Sequence, residues 1–407
     1  MRKICVWMAM FYVLFTLAMP DKPQITQAIT GLLGFTFLLS KIEKFSLRIP
    51  TGIIGALIAY GAWTGVSLLW TSDVPVGFYT FWRLSVVTIF GFIVWNIVQT
   101  EDDVAVIAQG YIFGAIMVFV SLYRNVQIGK GYAGAGSSGQ LRYSAQDLQP
   151  NAVAWIFAFA ISLAWMLIIW NRPSSKIFLP VNYAMPIIAI VGTLFTGSRG
   201  GAISVVLALG PIALYIWKRP IGAAILAGGL FMLLPSILVS DKLQGSINRI
   251  ANAASSGESD GFSGRLDLWK AAIELALQNP FLGTGVGGFN AGSSELALNT
   301  TSGVNGAHQA FLAVLSETGI VGLVLFCILC YQVYLTLRRV PDNIKPTCYG
   351  LGCALTSVLM FSHQQTNHVV LFPVITLMAA EVVTRQTAEK ERQLSLSQTM
   401  PVASTQS

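Results

Sequence analysis

Three residues in this chain combine a type suited to phosphate or proton chemistry with a position at the edge of an apolar run: Arg199, Arg265 and His308. Arg199 lies in Thr196-Gly197-Ser198-Arg199-Gly200-Gly201, a tight turn between two apolar segments. The glycines let the backbone approach a ligand, and the following helix turns its positive N-terminal end toward it. A guanidinium there can pair with a lipid-linked phosphate; an interfacial Arg on ordinary lipid headgroups is the plainer alternative. Arg265 opens a predicted helix over residues 265–278, with Ser263 as N-cap, apolar residues at 266, 269, 273 and 276, and Asn279-Pro280 as its stop. That apolar face predicts a helix lying on the membrane or on a helical bundle. The bland role for Arg265 is as a surface partner of Asp267 or Trp269. His308, in Asn305-Gly306-Ala307-His308-Gln309, is predicted in the first turn of the next span. There a neutral imidazole can take a proton from a hydroxyl nucleophile without help from a metal.

Glu317 lies nine residues after His308, roughly 13.5 Å deeper along a continuous helix and on its opposite side. It cannot orient His308 directly, and at that depth a carboxylate needs a partner or a wet cavity. Arg83, within an earlier span, is the candidate partner. His363 and His368 are five apart with no carboxylate nearby, which makes a poor metal site, and Cys327-Ile-Leu-Cys330 sits mid-span with no second pair. The glycine run of residues 283–289 resembles a dinucleotide fingerprint, but no strand precedes it. It reads as a flexible turn beneath the helix of residues 265–278.

The elements that must position these groups are membrane helices. Of 407 residues, 54% are hydrophobic and only 11% charged, against about 25% charged in soluble domains. The mean hydropathy of +0.65 agrees. Runs long enough to cross the hydrocarbon cover residues 4–19, 24–40, 51–70, 76–98, 104–123, 151–170, 177–196, 200–217, 221–239, 311–337, 347–361 and 369–384, predicting about 12 transmembrane helices. The net charge of +7 invites a nucleic-acid reading. With the N-terminus inside, however, fifteen of the 25 Lys and Arg fall in cytoplasmic loops and tails, as the positive-inside rule requires. The chain is therefore read as multi-pass, with both termini cytoplasmic and no nucleic-acid partner. A transmembrane domain of residues 1–384 is interrupted by one large periplasmic loop, residues 241–307. Residues 385–407 read as a disordered cytoplasmic tail.

The order of motifs resembles a known family. Residues 196–201, then Ser263-Gly264-Arg265-Leu266-Asp267-Leu268-Trp269 running through Pro280 to Gly283-Thr284-Gly285, then Ala307-His308 and Glu317-Thr318-Gly319-Ile320-Val321-Gly322, look like the O-antigen ligase (WaaL-like) and Wzy-like polymerase superfamily. The tighter resemblance covers roughly residues 142–322, where Arg142 and Pro150-Asn151 look like the family's Arg…Pro-Asn element. The resemblance implies a GT-C-like, all-α polytopic fold in the bacterial inner membrane. It implies transfer of a glycan from an undecaprenyl diphosphate carrier to an acceptor hydroxyl on the periplasmic face, without cofactor or metal. The acceptor would be lipid A core for a ligase, or the growing glycan for an O-antigen or exopolysaccharide polymerase. Arg199 and Arg265 would hold the donor diphosphate and His308 would act as general base, with Arg142, Asn151, Arg83 and Glu317 in support. Gln309 departs from the family, where Asn commonly follows the His. A transporter or flippase is the rival class, but it predicts repeats and midplane charges. A non-catalytic envelope partner with the loop as docking surface is the third reading.

Overall fold

The computed structural model describes residues 1–42, 46–132, 142–146, 148–217, 263–295, 306–363 and 366–399. The expected ninth span, residues 221–239, and much of the loop of residues 241–307 lie outside them. Every regular element among the described residues is helical. In chain order these are α1 (Arg2–Ala18), α2 (Pro23–Lys41), α3 (Gly52–Val66) with a 3-10 turn (Ser67–Trp70), α4 (Val74–Ile97), α5 (Glu101–Gln127), α6 (Pro150–Trp170) and the short α7 (Pro173–Lys176). Then follow α8 (Leu179–Thr196), α9 (Arg199–Trp217), α10 (Ser263–Gln278), α11 (Phe289–Glu295), α12 (Ala310–Arg339), α13 (Lys345–Phe361) and α14 (His368–Thr399).

Seven helices among the described residues are long and apolar enough to cross a membrane: α3 with its 3-10 turn, α4, α5, α6, α8, α12 and the first part of α14. That is fewer than the twelve expected. α1, α2, α9 and α13 occupy four of the other expected spans but are shorter or more polar. α1 and α13 have 17 residues each, and α2 carries Gln24, Thr26, Gln27 and Thr30. α6 is the central helix, with 89% of its apolar window buried against protein rather than left to face lipid. It packs on α8, α9, α5 and α13, while α3 lies along α12 and α1 along α5. Several polar groups inside the bundle are paired across helices, as a hydrocarbon surround favours. Gln109 and Asn182 exchange amide hydrogen bonds of 3.3 Å between α5 and α8, and the Ser204 hydroxyl donates to Ser357 at 3.0 Å.

One end of the bundle is tied by charge. Asp103 closes a capping box with Thr100 at the start of α5 and pairs with Arg2. Glu101 pairs with Arg172. Glu381 accepts from Thr336 at 2.7 Å and pairs with Arg339 at 3.4 Å and with Arg385. The expected disordered tail is corrected in part here, because α14 runs on to Thr399. Residues 385–399 contain no Gly or Pro and are rich in Gln, Glu, Lys, Arg, Ala and Leu, which continue a helix readily.

Candidate active site

The opposite end of the bundle is built around a break in α12. Gly319 has φ +67° and ψ −168°, a conformation that L residues rarely adopt, so the helical ladder stops there. The freed groups find partners in the glycine run. Ile320 N–H donates to Pro280 C=O and Thr284 N–H donates to Ser316 C=O, each at 2.9 Å. Together these replace the missing helical bond between 320 and 316, and Trp63 Nε1 donates to Thr318 C=O at 3.0 Å. Gly283 lies so close that an added Cβ would stand 2.5 Å from Glu317 C=O. The run continues onto the ends of α3 and α4. Trp70 Nε1 donates to Leu282 C=O at 3.2 Å, the Thr71 hydroxyl to Val286 C=O at 2.8 Å, and Val286 N–H to the Ser67 hydroxyl at 3.2 Å. This is no loose turn: it locks three helix ends together.

The same junction carries α10. Its buried stripe is Leu268, Ala271, Ala272 and Leu275, packed on Phe289, Ala307 and Ala313. The expected stripe is a different one, for Leu266 and Ile273 are 45% and 47% exposed. The helix has two apolar stripes, and the small alanines of the second allow the closer approach to α12. Asp267 pairs with Lys270 at 3.7 Å. Arg265 is half-buried and lies beside Arg199: burial first, and the Arg199 charge second, lower its pKa.

Arg199 stands at the first turn of α9, in a turn fixed from three sides. Gly197 ends α8 at φ +57°. The Ser198 hydroxyl accepts from Gly201 N–H at 3.0 Å and donates to Asn151 Oδ1 at 2.8 Å. Arg142 Nη2 donates to the same Asn151 oxygen at 2.9 Å, and its Nε donates to Thr196 C=O at 3.3 Å. Arg142 and Asn151 thus hold the backbone that presents Arg199, whose side chain is exposed.

His308 does not lie in the first helical turn as expected. It precedes α12 with φ +50°, in the left-handed region, where His is among the more tolerated residues but still strained. Gln309, the departure from the family pattern, caps the helix, its Oε1 accepting from Leu312 N–H at 2.6 Å. The His308 ring is half-buried and meets the His363 ring edge-on, with centroids 5.0 Å apart. Burial, and after it the Arg265 charge, lower its pKa to about 4, so it is a neutral base at pH 7. His363 is lowered to about 3 by burial, then by His308 and Arg83. The Arg199 charge is thus felt at Arg265, and the Arg265 charge at His308.

His363 also lines a cavity of about 430 Å³, together with Tyr79, Arg83, Asn290, Glu317 and Thr366 among others. Arg83 and Glu317 both reach it, but the ion pairs among the described residues do not include the expected one between them. Arg83 Nη2 instead donates to the Thr366 hydroxyl at 2.9 Å and its guanidinium lies 5.6 Å from the Tyr79 ring centre. Glu317 accepts hydrogen bonds from the backbone of Gly287 and Phe289. His363 and Thr366 are the site residues that sequence reasoning misses. The proximity of His363 to the last span is visible in the sequence; its contact with His308, 55 residues away, is not.

Residues 184–327 match the family model described as O-antigen ligase, which assigns this stretch to the O-antigen ligase and Wzy-like superfamily. The segment contains Arg199, Arg265, His308 and the Gly319 break. The seven long apolar helices mark the chain as a multi-pass helical membrane protein, and this segment is similar to O-antigen ligases. No curated protein matches the chain in sequence. A chain of the solved structure described as "Structural coordination of polymerization and crosslinking by a peptidoglycan synthase complex" is similar at 13% identity and a TM-score of 0.44. The similarity covers 82% of this chain and 97% of that one.

Proposed function

We propose that the protein transfers a glycan from a polyprenyl diphosphate, of the undecaprenyl type, to an acceptor hydroxyl at the end of the bundle carrying Arg199, Arg265 and His308. The observation that carries this is the electrostatic link from Arg199 through Arg265 to His308 within the matched family segment. The acceptor hydroxyl attacks the anomeric carbon as His308 takes its proton. The bond from that carbon to the diphosphate oxygen breaks, and its electron pair leaves with the polyprenyl diphosphate. Two fixed guanidiniums stabilise the negative charge as it builds. Direct displacement inverts the anomeric centre. The chain's own cations meet this need, so the reading calls for no metal ion.

Positive-inside alternation puts this end on the periplasmic face of the inner membrane, with both termini cytoplasmic. The loop of residues 241–307 would then cover a lipid-facing site, its helix α10 delivering Arg265. A ligase acting on lipid A core is the reading we favour; an O-antigen or exopolysaccharide polymerase shares the donor chemistry and differs in acceptor. The surface-glycan profile of a deletion strain separates them. Long chains left on the lipid carrier identify a ligase, and unpolymerised single repeats a polymerase. An unchanged profile and unchanged carrier-linked pool contradict both.

A further inference from the structure

Arg199, Arg265 and His308 leave one built feature unused, the cavity that His363 lines. We infer that this cavity receives the terminal sugar of the acceptor, a hydroxyl-rich ring, and that Arg83 positions it. The inference rests on the proposed transfer reaction and names the substrate group of the same site.

Four observations support it. First, the cavity adjoins the base. His363 lines it, and the His363 ring meets that of His308 with centroids 5.0 Å apart.

Second, the cavity's size, about 430 Å³, lies in the range of roughly 300–1,000 Å³ typical of small-molecule sites. Arg83 is nine residues into α4 and Glu317 seven into α12, so the cavity reaches roughly 10–13 Å below the helix ends. It opens past Tyr79 and Val76, which are 62% and 42% exposed.

Third, its chemistry matches a polyol. Arg83 offers N–H donors, while Glu317 presents a carboxyl already held by two backbone amides. Tyr79 adds an aromatic face beside Arg83. The guanidinium and the carboxyl serve as donor and acceptor for hydroxyls.

Fourth, Arg83 is held for this role by neutral partners. It bonds to the Thr366 hydroxyl, and no carboxylate lies within ion-pair distance among the described residues. Its Nε is buried without a hydrogen-bond partner. Keeping a guanidinium this far inside a helical bundle is costly, which argues for a ligand rather than for structure.

The acceptor sugar can sit on an envelope glycolipid or on the growing carrier-linked glycan, so the test has two arms. Purified protein in nanodiscs would be given carrier-linked glycan extracted from the source membranes as donor. The acceptor would be either the glycolipid fraction of those membranes or the carrier-linked glycan itself, with donor and acceptor varied in turn. In whichever arm turns over, Arg83→Met and Tyr79→Ala are expected to raise the acceptor KM at least tenfold. The donor KM and the binding of undecaprenyl diphosphate should stay within twofold, and Arg83→Lys should recover part of the acceptor KM. Size-exclusion profiles and thermal unfolding confirm that each variant is folded, and Thr366→Val, which only frees the guanidinium, should give a smaller rise. An unchanged acceptor KM in folded variants, or a loss of undecaprenyl diphosphate binding instead, overturns the inference while leaving the transfer reaction standing. Absence of transfer and of diphosphate binding in the unaltered protein overturns both.

Discussion

The two ends of the helical bundle use the same side chain in opposite ways. At one end, arginines are closed onto carboxylates: Arg2 on Asp103, Arg172 on Glu101, Arg339 and Arg385 on Glu381. Including Lys345 with Asp342, five of the six ion pairs among the described residues lie there. The sixth joins Asp267 and Lys270 on the exposed side of α10. At the other end, Arg83 meets a hydroxyl and an aromatic ring, Arg142 an amide and a carbonyl, and Arg265 the charge of Arg199. Ion pairs that satisfy themselves anchor helices and fix orientation. Cations gathered on neutral partners or on one another raise the local potential and are stabilised by an incoming anion. In the proposed mechanism, the first end anchors the bundle and the second carries the chemistry.

Substitutions should break this comparison in an ordered way. The largest effect is expected from His308→Ala, which should lower transfer about 10²–10⁴-fold, the usual contribution of a positioned base, with protein level and fold unchanged by size-exclusion. Arg199→Ala and Arg265→Ala should each cost about 10²–10³-fold in turnover, as loss of a fixed charge-stabilising group does, and should weaken undecaprenyl diphosphate binding. Gly319→Ala would force a Cβ to within 2.1 Å of Phe281 C=O; it should lower thermal stability and transfer together, by about 1–3 kcal/mol of strain. A smaller signal lies in pH dependence. Because the His308 pKa is lowered to about 4, its base form persists below the ordinary histidine range. The kcat/KM for transfer should therefore stay nearly flat from pH 8 to 5 and fall only as pH drops through about 4. At the other end, Asp103→Asn should lower thermal stability by about 1–2 kcal/mol, the cost of leaving the partly buried Arg2 without its carboxylate, and leave kcat untouched.

What is legible in the sequence follows from what each signal depends on. Long apolar runs declare membrane helices by themselves, and Arg199, Arg265 and His308 stand out because topology gives no reason for basic groups there. The pairing of Arg142 with Asn151 follows the expected motif. Other features depend on contacts that periodicity cannot report. α10 carries two apolar stripes, and only the fit of Ala271 and Ala272 against α12 decides which is buried. The glycine run reads as a flexible turn because its partners, the Gly319 break and the ends of α3 and α4, are distant in sequence. His308 reads as helical because nothing local announces a left-handed residue before a Gln cap. Of the expected spans, seven meet the length and composition of a crossing among the described residues, four coincide with shorter or more polar helices, and the one over residues 221–239 lies outside the described residues.

Binding and proton transfer, in the mechanism proposed, are divided between the two arginines and His308. Undecaprenyl diphosphate binding and glycan transfer, measured side by side in purified His308→Ala and in the Arg199→Ala, Arg265→Ala double variant, probe that division at its root. His308→Ala should bind the diphosphate within about twofold of the unaltered protein yet scarcely transfer, having lost only the base. The double variant should lose both. Undiminished transfer by His308→Ala, or tight diphosphate binding by the double variant, would contradict the division.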